Sequence, residues 1–382
     1  MKKSKENTGS EVTTVAGETR IDVADQWQLM WWRFRKHKLA LVSGVVVILI
    51  YLVAAFTEFL APYSSISYIA ECKNMPPQRL HFQRTGEDGR KIYGPFVYQY
   101  IVKVNPVSLR RDFVVDETKV IPVKFFATGE PYKMWGLFNA DLHLITPADY
   151  KMPMYLFGGD TMGRDLASRV IHGTRISMSI GLIGVVISLF LGVLLGGISG
   201  YYGGPMDNFI QRLTEFLRSI PTIPLWMGLA AAIPLTWPPL RVYFTITLIL
   251  SLIQWTGLAR VVRGKFFSLK TEDFVTAARL DGCSEIRIIL HHMVPSFISH
   301  IIASVTLSIP GMILSETSLS FLGIGLRPPV VSWGVLLQEA QNVRSIAACP
   351  WLLFFPGVSV VIAVLALNFL GDGLRDAADP YN

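Results

Sequence analysis

Charged residues are scarce in this sequence. Only 16% of its 382 residues are Asp, Glu, Lys or Arg, whereas 51% are hydrophobic, and the mean hydropathy is +0.41. Soluble domains usually carry about 25% charged residues. The shortage is also uneven, because charges are absent over long windows and cluster between them. The composition therefore argues against a soluble domain and indicates an integral membrane protein.

Cysteine is rare as well, and its spacing excludes two kinds of site. The 3 cysteines are Cys72, Cys283 and Cys349. None forms a CxxC pair, so neither a zinc site nor a redox motif is indicated. We interpret all of them as unpaired small residues. The alternative is a disulfide between Cys72 and Cys349, which the topology predicted below places on the same outer side of the membrane.

The sequence also lacks the motifs of a catalytic or nucleotide-binding protein. It contains no HExxH, no GxSxG and no pair of carboxylates within an apolar window. The segment closest to a phosphate-binding loop is Gly158–Gly163, but Arg164 and Asp165 stand where Lys and Ser or Thr are required. We interpret this segment as a turn that leads into an interfacial helix over residues 166–174. Neither an enzyme, nor a bound cofactor, nor a metal site is predicted in this chain.

Long apolar windows are the main positive feature. They cover residues 39–57, 176–206, 219–240, 242–259, 293–315 and 345–371. Each is long enough to cross a bilayer, which takes roughly 20 apolar residues, and in lipid a single crossing satisfies its backbone only as a helix. The sequence thus predicts an all-α polytopic membrane protein with six transmembrane helices.

Basic residues predict how these helices are oriented. Arg33, Arg35 and Lys36 precede the first window, and the loop 260–295 contains six Arg or Lys residues. Because cytoplasmic loops carry an excess of basic residues, both regions and both termini are predicted on the cytoplasmic side of a bacterial inner membrane. The net charge of +7 then fits an anionic inner leaflet, and nucleic-acid binding is not expected.

The region between the first two windows has a different composition. Residues 62–157 are polar, and Phe96–Val104 and Phe113–Phe126 have the aromatic and β-branched content of strands. We predict a periplasmic insertion that is α+β or β-rich, since a loop of this length usually has its own structure. The predicted organisation is a cytoplasmic tail (1–37), a first transmembrane helix (38–61), the insertion (62–157), a periplasmic interfacial segment (158–175), a transmembrane core (176–371) and a cytoplasmic tail (372–382).

The second window carries a row of small residues on one helical face. Gly184, Ser188, Gly192, Gly196 and Gly200 recur at every fourth position. Small residues at this spacing let two helices approach closely in lipid, where dispersion and close contact drive association. The row predicts close packing against another helix and carries no information about a substrate.

The segment between the second and third windows, residues 206–220, has apolar residues at helical spacing. Arg212, Glu215 and Arg218 fall between them. We therefore predict an amphipathic helix on the cytoplasmic side, leading into the third span.

A few polar residues lie within or beside the windows. Gln254, His300 and Asn368 are inside spans, where such groups either bond between helices or line a translocation path. Glu58 and Glu316 are at the outer ends of spans one and five. For these two carboxylates we expect side chains that extend to the membrane interface, with a functional role as the alternative.

The cytoplasmic loop 260–295 holds the most informative segment. Residues 271–282 predict a short helix that ends at Gly282, because Gly adopts the conformation of a helix end at little cost. A second helix is predicted from Cys283 to Pro295 and on into the fifth span. Ala277 and Ala278 are small, which leaves room for a partner surface.

This loop resembles the coupling signature of ABC-importer permeases, which reads Glu-Ala-Ala, three residues, Gly and a later Leu-Pro. The matching positions here are Thr276, Ala277, Ala278, Gly282, Val294 and Pro295. Thr276 and Val294 depart from the pattern, since the family has Glu and Leu there.

Further segments are similar to the second, C-type subunit of the dipeptide/oligopeptide permease family. They are Gly159–Asp165, Gly173–Ser177, Gly200–Gly204, Leu319–Gly325, Pro328–Pro329, Ser332–Gly334 and Leu367–Asp376. The long insertion at 62–157 departs from the family, because most members join the first span to the Gly-Arg-Asp segment with fewer residues.

The resemblance implies a permease subunit of an ATP-driven importer. Its implied partners are a second homologous permease, two ABC ATPases that bind ATP and Mg, and a periplasmic binding protein that delivers the solute. The short helix ending at Asp281 and Gly282, with Pro295 beyond it, would contact an ATPase. The implied solutes are di- and oligopeptides, with nickel, opines and glycosidic sugars as alternatives.

Two other classes of membrane protein fit the sequence less well. A stand-alone transporter or channel needs charge pairs within the membrane or a selectivity filter, and the sequence indicates neither. A membrane enzyme needs a catalytic constellation, and the sequence indicates none.

Overall fold

The computed structural model describes residues 26–85, 91–104, 106, 111–341 and 347–378. Most of the predicted tail 1–37 and the end of the predicted tail 372–382 lie outside these residues. The helices are α1 (Gln26–Lys36), α2 (Lys38–Ala55), α3 (Thr57–Leu60), α4 (Leu166–Tyr202), α5 (Gly204–Ser219), α6 (Thr222–Ala231), α7 (Pro239–Leu269), α8 (Asp273–Leu280), α9 (Glu285–Arg287), α10 (Val294–Ser296), α11 (Ile298–Phe321), α12 (Trp333–Glu339) and α13 (Trp351–Ala378). The strands are β1 (His81–Thr85), β2 (Lys91–Val104), β3 (Arg111–Met134) and β4 (Phe138–Pro147).

The protein is mostly helical, and its long apolar helices form one bundle. In the described residues, 5 helices are long and apolar enough to cross a membrane: α2, α4, α7, α11 and α13. Met178, Ile246, Met312 and Ala363, from the last four of these helices, are fully buried in a shared core. The first, second, fourth, fifth and sixth apolar windows of the sequence correspond to these helices in order.

The third window does not form one long helix. The backbone is extended at Ile220 and resumes helical geometry as α6, which has only 10 residues. Pro221 lacks an amide hydrogen, and its ring disfavours helical geometry in the residue before it, so the chain breaks between α5 and α6. The described part of the chain therefore has five long apolar helices rather than the six that the windows predict.

Several helices continue beyond the ends of the hydropathy windows. α4 begins at Leu166, so the separate interfacial helix predicted over 166–174 is wrong and these residues are its first turns. α7 extends to Leu269 and α13 to Ala378. A hydropathy window ends where charged residues begin, whereas Arg and Lys are good helix formers and leave the hydrogen-bond ladder intact.

The small-residue row of α4 lies against neighbouring helices. A Cβ built at Gly196 would lie 2.4 Å from the carbonyl oxygen of Ala259, and one at Gly200 would lie 2.6 Å from the Cβ of Phe266. Both distances are too short for a side chain, so α4 and α7 pack with backbone in contact. Gly192 likewise faces α7, and Gly184 faces α11.

Helices α4 and α7 run parallel to one another. Ser188 donates a 3.3 Å hydrogen bond to the carbonyl oxygen of Ser251, and two turns further along Gly196 meets Ala259. Residue numbers therefore rise in the same direction along both helices. The connection 203–238 must return from one end of the bundle to the other.

A four-stranded antiparallel sheet lies between α3 and α4 in the chain. Its strand order is β1-β2-β3-β4, and β2 and β3 contain the two segments that the sequence predicts as strands. The sheet has its own small core, which consists of Val97, Ile121, Val123 and Met154. We call the sheet and its described connections the lobe.

Candidate functional site

The short helix predicted in the loop 260–295 is present as α8, and a glycine cap ends it. The amide of Cys283 donates a 3.1 Å hydrogen bond to the carbonyl oxygen of Ala278, and the amide of Gly282 donates one of 3.0 Å to that of Arg279. Gly282 has a φ of +72°, the left-handed conformation that costs a residue with a Cβ roughly 1–2 kcal/mol. The cap fixes the direction in which the chain leaves α8.

Most of the predicted contact residues lie on the open side of this segment. Thr276, Ala277, Asp281 and Gly282 are exposed, and so is Pro295 further along the chain. A Cβ built at Gly282 would meet nothing within 4 Å. The structure therefore places these residues on a surface that a second protein can reach.

Ala278 has a different place from the other predicted contact residues. It is 6% exposed and belongs, together with Val275, to an apolar cluster that also contains side chains of α4 and α7. Its small size lets α8 lie close to the bundle. Ala278 therefore supports α8 from within, and Ala277 is the alanine that faces outward.

Large apolar side chains are exposed on α8 and on the segment that follows it, and the sequence did not predict this surface. They are Phe274, Leu280, Ile286 and Leu290, with exposures of 40%, 83%, 70% and 58%. Single exposed apolar residues are common, but several on one connected segment indicate an interaction surface. The sequence signal for this surface is that residues 286 and 290 are both apolar and four positions apart, on a stretch with charged neighbours. We call these four side chains the apolar rim.

Helix α8 rests on the carboxyl end of α4. Lys270 Nζ donates a 2.6 Å hydrogen bond to the carbonyl oxygen of Tyr201, and the Arg279 guanidinium lies 5.5 Å from the centre of the Tyr201 ring. The Tyr202 hydroxyl donates a 2.9 Å hydrogen bond to Glu285. These contacts join the segment around α8 to the longest helix of the bundle, and nothing in the sequence analysis indicated them.

The second helix predicted in this loop, from Cys283 to Pro295, is built from three short pieces. They are α9, a π-helical segment over Ile288–Met293 and α10. The backbone then breaks at Phe297 before α11 begins. π-Helical turns are rare and are frequent at functional sites, so the connection from α8 to α11 is not one uniform helix.

The polar residues predicted within spans lie on three different helices. Gln254 is on α7, His300 on α11 and Asn368 on α13, and each is half-buried. Gln254 faces α11, where a Cβ built at Gly311 would lie 4.0 Å from its Nε2. Their role in a translocation path stays a prediction.

Glu316 lies inside the bundle, so the prediction that it extends to the membrane interface is wrong. Its side chain has no exposed area. The hydroxyls of Ser320 and Ser332 each donate a 2.8 Å hydrogen bond to Oε1, and the hydroxyl of Ser177 lies 3.4 Å from Oε2. Hydroxyl donors from three segments replace water around this carboxylate, which holds the start of α12 against α4 and α11.

Glu58 is also engaged within the protein, because it pairs with Arg175 of α4. Arg175 Nη2 lies 2.6 Å from Glu58 Oε2, and the same guanidinium donates to the carbonyl oxygens of Ala54 and Ala55 at the end of α2. Burial alone would raise the pKa of Glu58, but its bonds to Arg175 outweigh this effect and lower the pKa below its usual range. Glu58 therefore joins α3 to α4.

A buried ion network joins the amino end of α4 to α12. Arg169, which is 1% exposed, donates hydrogen bonds of 2.7 Å to Asp160 and 3.0 Å to Glu339. Arg164 bonds the same two carboxylates at 2.6 Å and 3.2 Å. Two guanidinium groups balance two carboxylates, so the charges are compensated on burial. The sequence predicts this region only as a turn that leads into an interfacial helix.

Asp165 forms the amino-terminal cap of α4. Its Oδ2 accepts hydrogen bonds of 2.8 Å from the amide and 2.6 Å from the hydroxyl of Ser168. Its Oδ1 is buried and has no hydrogen-bond partner among the described residues. Burial raises the pKa of Asp165 to about 7, against the opposing effect of Ser168.

None of the three cysteines forms a disulfide in the structure. Cys72 and Cys349 are both buried, and they belong to different apolar clusters. Burial raises the pKa of the Cys72 thiol to about 12, so this residue is in the unreactive protonated form. The alternative of a disulfide between Cys72 and Cys349 is not what the structure contains.

Two family models match this chain. The model for "binding-protein-dependent transport system inner membrane component" covers residues 167–381, and the model for "N-terminal TM domain of oligopeptide transport permease C" covers residues 25–77. The four strands of the lobe lie between the two matches.

Relatives from two bacteria match over most of their own length. The oligopeptide transport system permease protein OppC of Haemophilus influenzae is 38% identical over 242 residues, which are 63% of this chain and 75% of that protein. The dipeptide transport system permease protein DppC of Bacillus subtilis is 37% identical over 224 residues, 59% of this chain and 68% of that protein. Among solved structures, an inward-facing MetNI methionine ABC transporter chain matches with a TM-score of 0.44 and 16% identity, covering 56% of this chain and 97% of that chain.

Proposed function

Because this chain belongs to the family of binding-protein-dependent transport system inner membrane components, we propose that it is the permease subunit of an ATP-driven importer of peptides. The relatives named above are oligopeptide and dipeptide permeases, which favours di- and oligopeptides as solutes. A separate binding protein delivers the solute, and a second permease completes the pathway. Energy comes from ATPase subunits outside this chain.

The observation that carries this proposal is the open surface of α8. Ala277 is exposed on a short, capped helix, and the exposed side chains of the apolar rim lie on the same connected segment. An ATPase groove that receives α8 buries the rim. The contacts of Lys270 and Arg279 with Tyr201 then carry movement of α8 into α4, and rigid-body movement of helices alternates access to the two sides.

The chain crosses the membrane six times if α5 and α6 together form the crossing that the third window predicts. α5 starts beside the carboxyl end of α4, where Asp207 pairs with Arg263 at 2.6 Å. α6 ends beside the start of α7, where Ala230 and Val242 line the same cavity. Since α4 and α7 run parallel, the connection between them has to cross the bilayer. The amphipathic helix that the sequence predicts over 206–220 is present as α5, and we propose that its charged face, with Arg212 and Glu215, stays at the cytoplasmic surface where this crossing begins.

We place α8 and both termini on the cytoplasmic side and the lobe on the periplasmic side. The basic residues of the loop 260–295 support this orientation. Cys283 offers a direct test, because it is half-exposed whereas Cys72 and Cys349 are buried. A membrane-impermeant maleimide should label wild-type protein in inside-out vesicles but not in intact spheroplasts, and Cys283→Ser should abolish the labelling. Labelling from the outer side would reverse the orientation.

The decisive experiment measures ATP-dependent peptide uptake by the assembled transporter in proteoliposomes. Ala277→Glu places a charge on the exposed face of α8 without disturbing the bundle. We expect it to weaken ATPase binding by roughly tenfold or more and to abolish uptake, while the amount of chain in the membrane is unchanged.

The matched control is Thr276→Glu. It adds the same charge one residue earlier, at the position where the family pattern has Glu, and the Thr276 side chain is also exposed. We expect uptake to be retained. Normal uptake by Ala277→Glu, or uptake by this chain without any ATPase, would refute the proposal.

A further inference from the structure

The lobe ends in an apolar hairpin tip. β3 and β4 pair up to Met134 and Phe138, and Trp135, Gly136 and Leu137 form the turn. The exposures of Trp135, Leu137 and Phe138 are 53%, 75% and 62%. Residues 134–138 thus present uncharged, mostly large apolar side chains to the surroundings at the end of a strand pair.

Trp135 has an unusual backbone conformation for a residue of its size. Its φ is +51°, in the left-handed region that bulky residues rarely adopt and that Asn or Gly would occupy without strain. A turn that needs only this backbone geometry has no use for an indole. The presence of Trp at this position therefore indicates a role for its side chain.

The tip lies at the end of a membrane helix. Trp135 Nε1 donates a 2.7 Å hydrogen bond to the carbonyl oxygen of Ala55, the last residue of α2. The Trp135 ring also lies 6.4 Å from that of Phe56, which follows α2. The hydrogen bond fixes the indole at the level where α2 leaves the hydrocarbon region.

The exposed face of α2 continues into this tip. The helix has an apolar stripe that repeats every three or four residues and ends at Phe56. Its members are Val42, Val45, Leu49, Leu52 and Phe56, with exposures of 62%, 57%, 55%, 46% and 42%. Because Phe56 meets Trp135, whatever covers this stripe also reaches the tip. Lipid is what covers an exposed apolar stripe along a membrane-spanning helix.

The polarity along the hairpin changes where the membrane surface would lie. Lys133 and Asn139 are exposed and pair with one another, one position behind the pair Met134 and Phe138. A strand rises about 3.3 Å per residue, so a cation and an amide stand directly above the apolar tip. This order, with Trp at the boundary and Lys towards water, is typical of the headgroup region.

We propose that residues 134–138 insert into the interface of the lipid leaflet at the carboxyl end of α2 and anchor the lobe to the membrane. The occupant is phospholipid, with acyl chains around Leu137 and Phe138 and headgroups around Lys133. The anchor ties the lobe to α2 and to the bilayer. This inference uses the membrane location of α2 but not the identity of the transported solute.

Spin labels in the assembled transporter, reconstituted in phospholipid nanodiscs, test this proposal. A nitroxide at Leu137→Cys is compared with one at Leu49→Cys, on the exposed stripe, and one at Tyr93→Cys, which is 72% exposed on another strand of the lobe. The background carries alanine in place of the native cysteines. We expect the label at 137 to collide with oxygen rather than with a water-soluble nickel chelate, like the label at 49, and to differ several-fold from the label at 93.

Two outcomes would overturn the proposal. A label at 137 that behaves like the label at 93 places the tip in water. A label at 137 that neither reagent reaches places the tip under a protein partner. These measurements need no transport, so they remain informative even if the proposed solute or energy source is wrong.

A second measurement avoids the cysteine background. The intrinsic fluorescence of the wild-type chain and of Trp135→Phe is compared in nanodiscs with lipids brominated near the headgroups. We expect Trp135 to account for a distinct quenched component that the variant loses. Equal quenching in both proteins would contradict insertion of the tip.

Discussion

The two ends of α4 are held in different ways. At its amino end, Arg169 is enclosed with Asp160 and Glu339 in a buried ion network. At its carboxyl end, Tyr201 contacts Lys270 and Arg279, which remain partly or fully exposed. Buried and compensated charges define one arrangement, whereas exposed cations over a ring leave room for adjustment. The comparison indicates a rigid frame at one end, which moves with α4 as one body, and an adjustable contact at the other.

The largest expected effect comes from breaking the frame. Arg169→Met removes one of two guanidinium groups and leaves Asp160 and Glu339 to share Arg164. Since removing one partner of a buried pair is strongly destabilising, we expect a loss of about 3–5 kcal/mol in the free energy of unfolding. Thermal unfolding in detergent measures it.

An exposed ion pair is the control for this variant. Arg212 and Glu215 pair at 3.2 Å with exposures of 85% and 58%, and Arg212→Met should cost no more than about 1 kcal/mol. Equal losses in Arg169→Met and Arg212→Met would show that the buried network is not a frame.

The next effect tests whether α4 moves as one body with α7. Gly196→Leu forces a side chain into the backbone of Ala259 and should destabilise the protein by about 1–3 kcal/mol. Gly257→Leu adds the same side chain to α7 at a position with nothing within 4 Å, and it should be tolerated. Melting temperatures of both variants check this, and a tolerated Gly196→Leu would mean that the two helices separate easily.

The pH dependence of stability tests Asp165, which caps α4 next to Asp160 of the buried ion network. Its pKa is raised to about 7 in the folded chain and lies near 3.9 in an unfolded one. A raised pKa gives stabilisation that is complete below about pH 4 and lost as the pH rises to about 7. The wild type should therefore lose about 3 kcal/mol between pH 5 and pH 8 through this residue. Asp165→Asn should flatten the change in melting temperature, and an unchanged slope would contradict the assignment.

The smallest expected loss of stability comes from a substitution at the carboxyl end of α4. Tyr201→Leu removes the ring beneath two cations and should cost about 1 kcal/mol. We expect a larger change in coupling, with ATP hydrolysis continuing while peptide uptake falls. Tyr201→Phe keeps the ring and should transport normally. A Tyr201→Leu transporter with an unchanged ratio of uptake to hydrolysis would remove the distinction between the two ends.

Local sequence signals predicted much of the architecture. The positions of five long helices followed from apolar windows near the length of a bilayer, and the cap at Gly282 followed from the needs of a helix end. The strands of the lobe followed from their aromatic and β-branched content. The resemblance to ABC-importer permeases is confirmed by the family model and the relatives. Each of these features depends on residues that are close in the chain.

What the sequence did not predict depends on residues that are far apart. Arg169 and Glu339 are 170 positions apart, and Glu316 receives a hydroxyl from Ser177, 139 positions away. A carboxylate beside an apolar window looks the same whether water or serines surround it. The broken third window was also missed, because hydropathy averages over Pro221 and does not register a change in backbone direction.

The length of α4 has a geometric consequence. Its 37 residues contain no proline and form a rod of about 55 Å, while the hydrocarbon core is about 30 Å thick. Both ends of α4 therefore extend beyond the hydrocarbon core. If such a rod pivots by about 10° at the bilayer midplane, its two tips sweep about 5 Å in opposite directions. A displacement of the carboxyl end of α4 thus moves its amino end in the opposite direction, because the helix contains no proline at which it could bend.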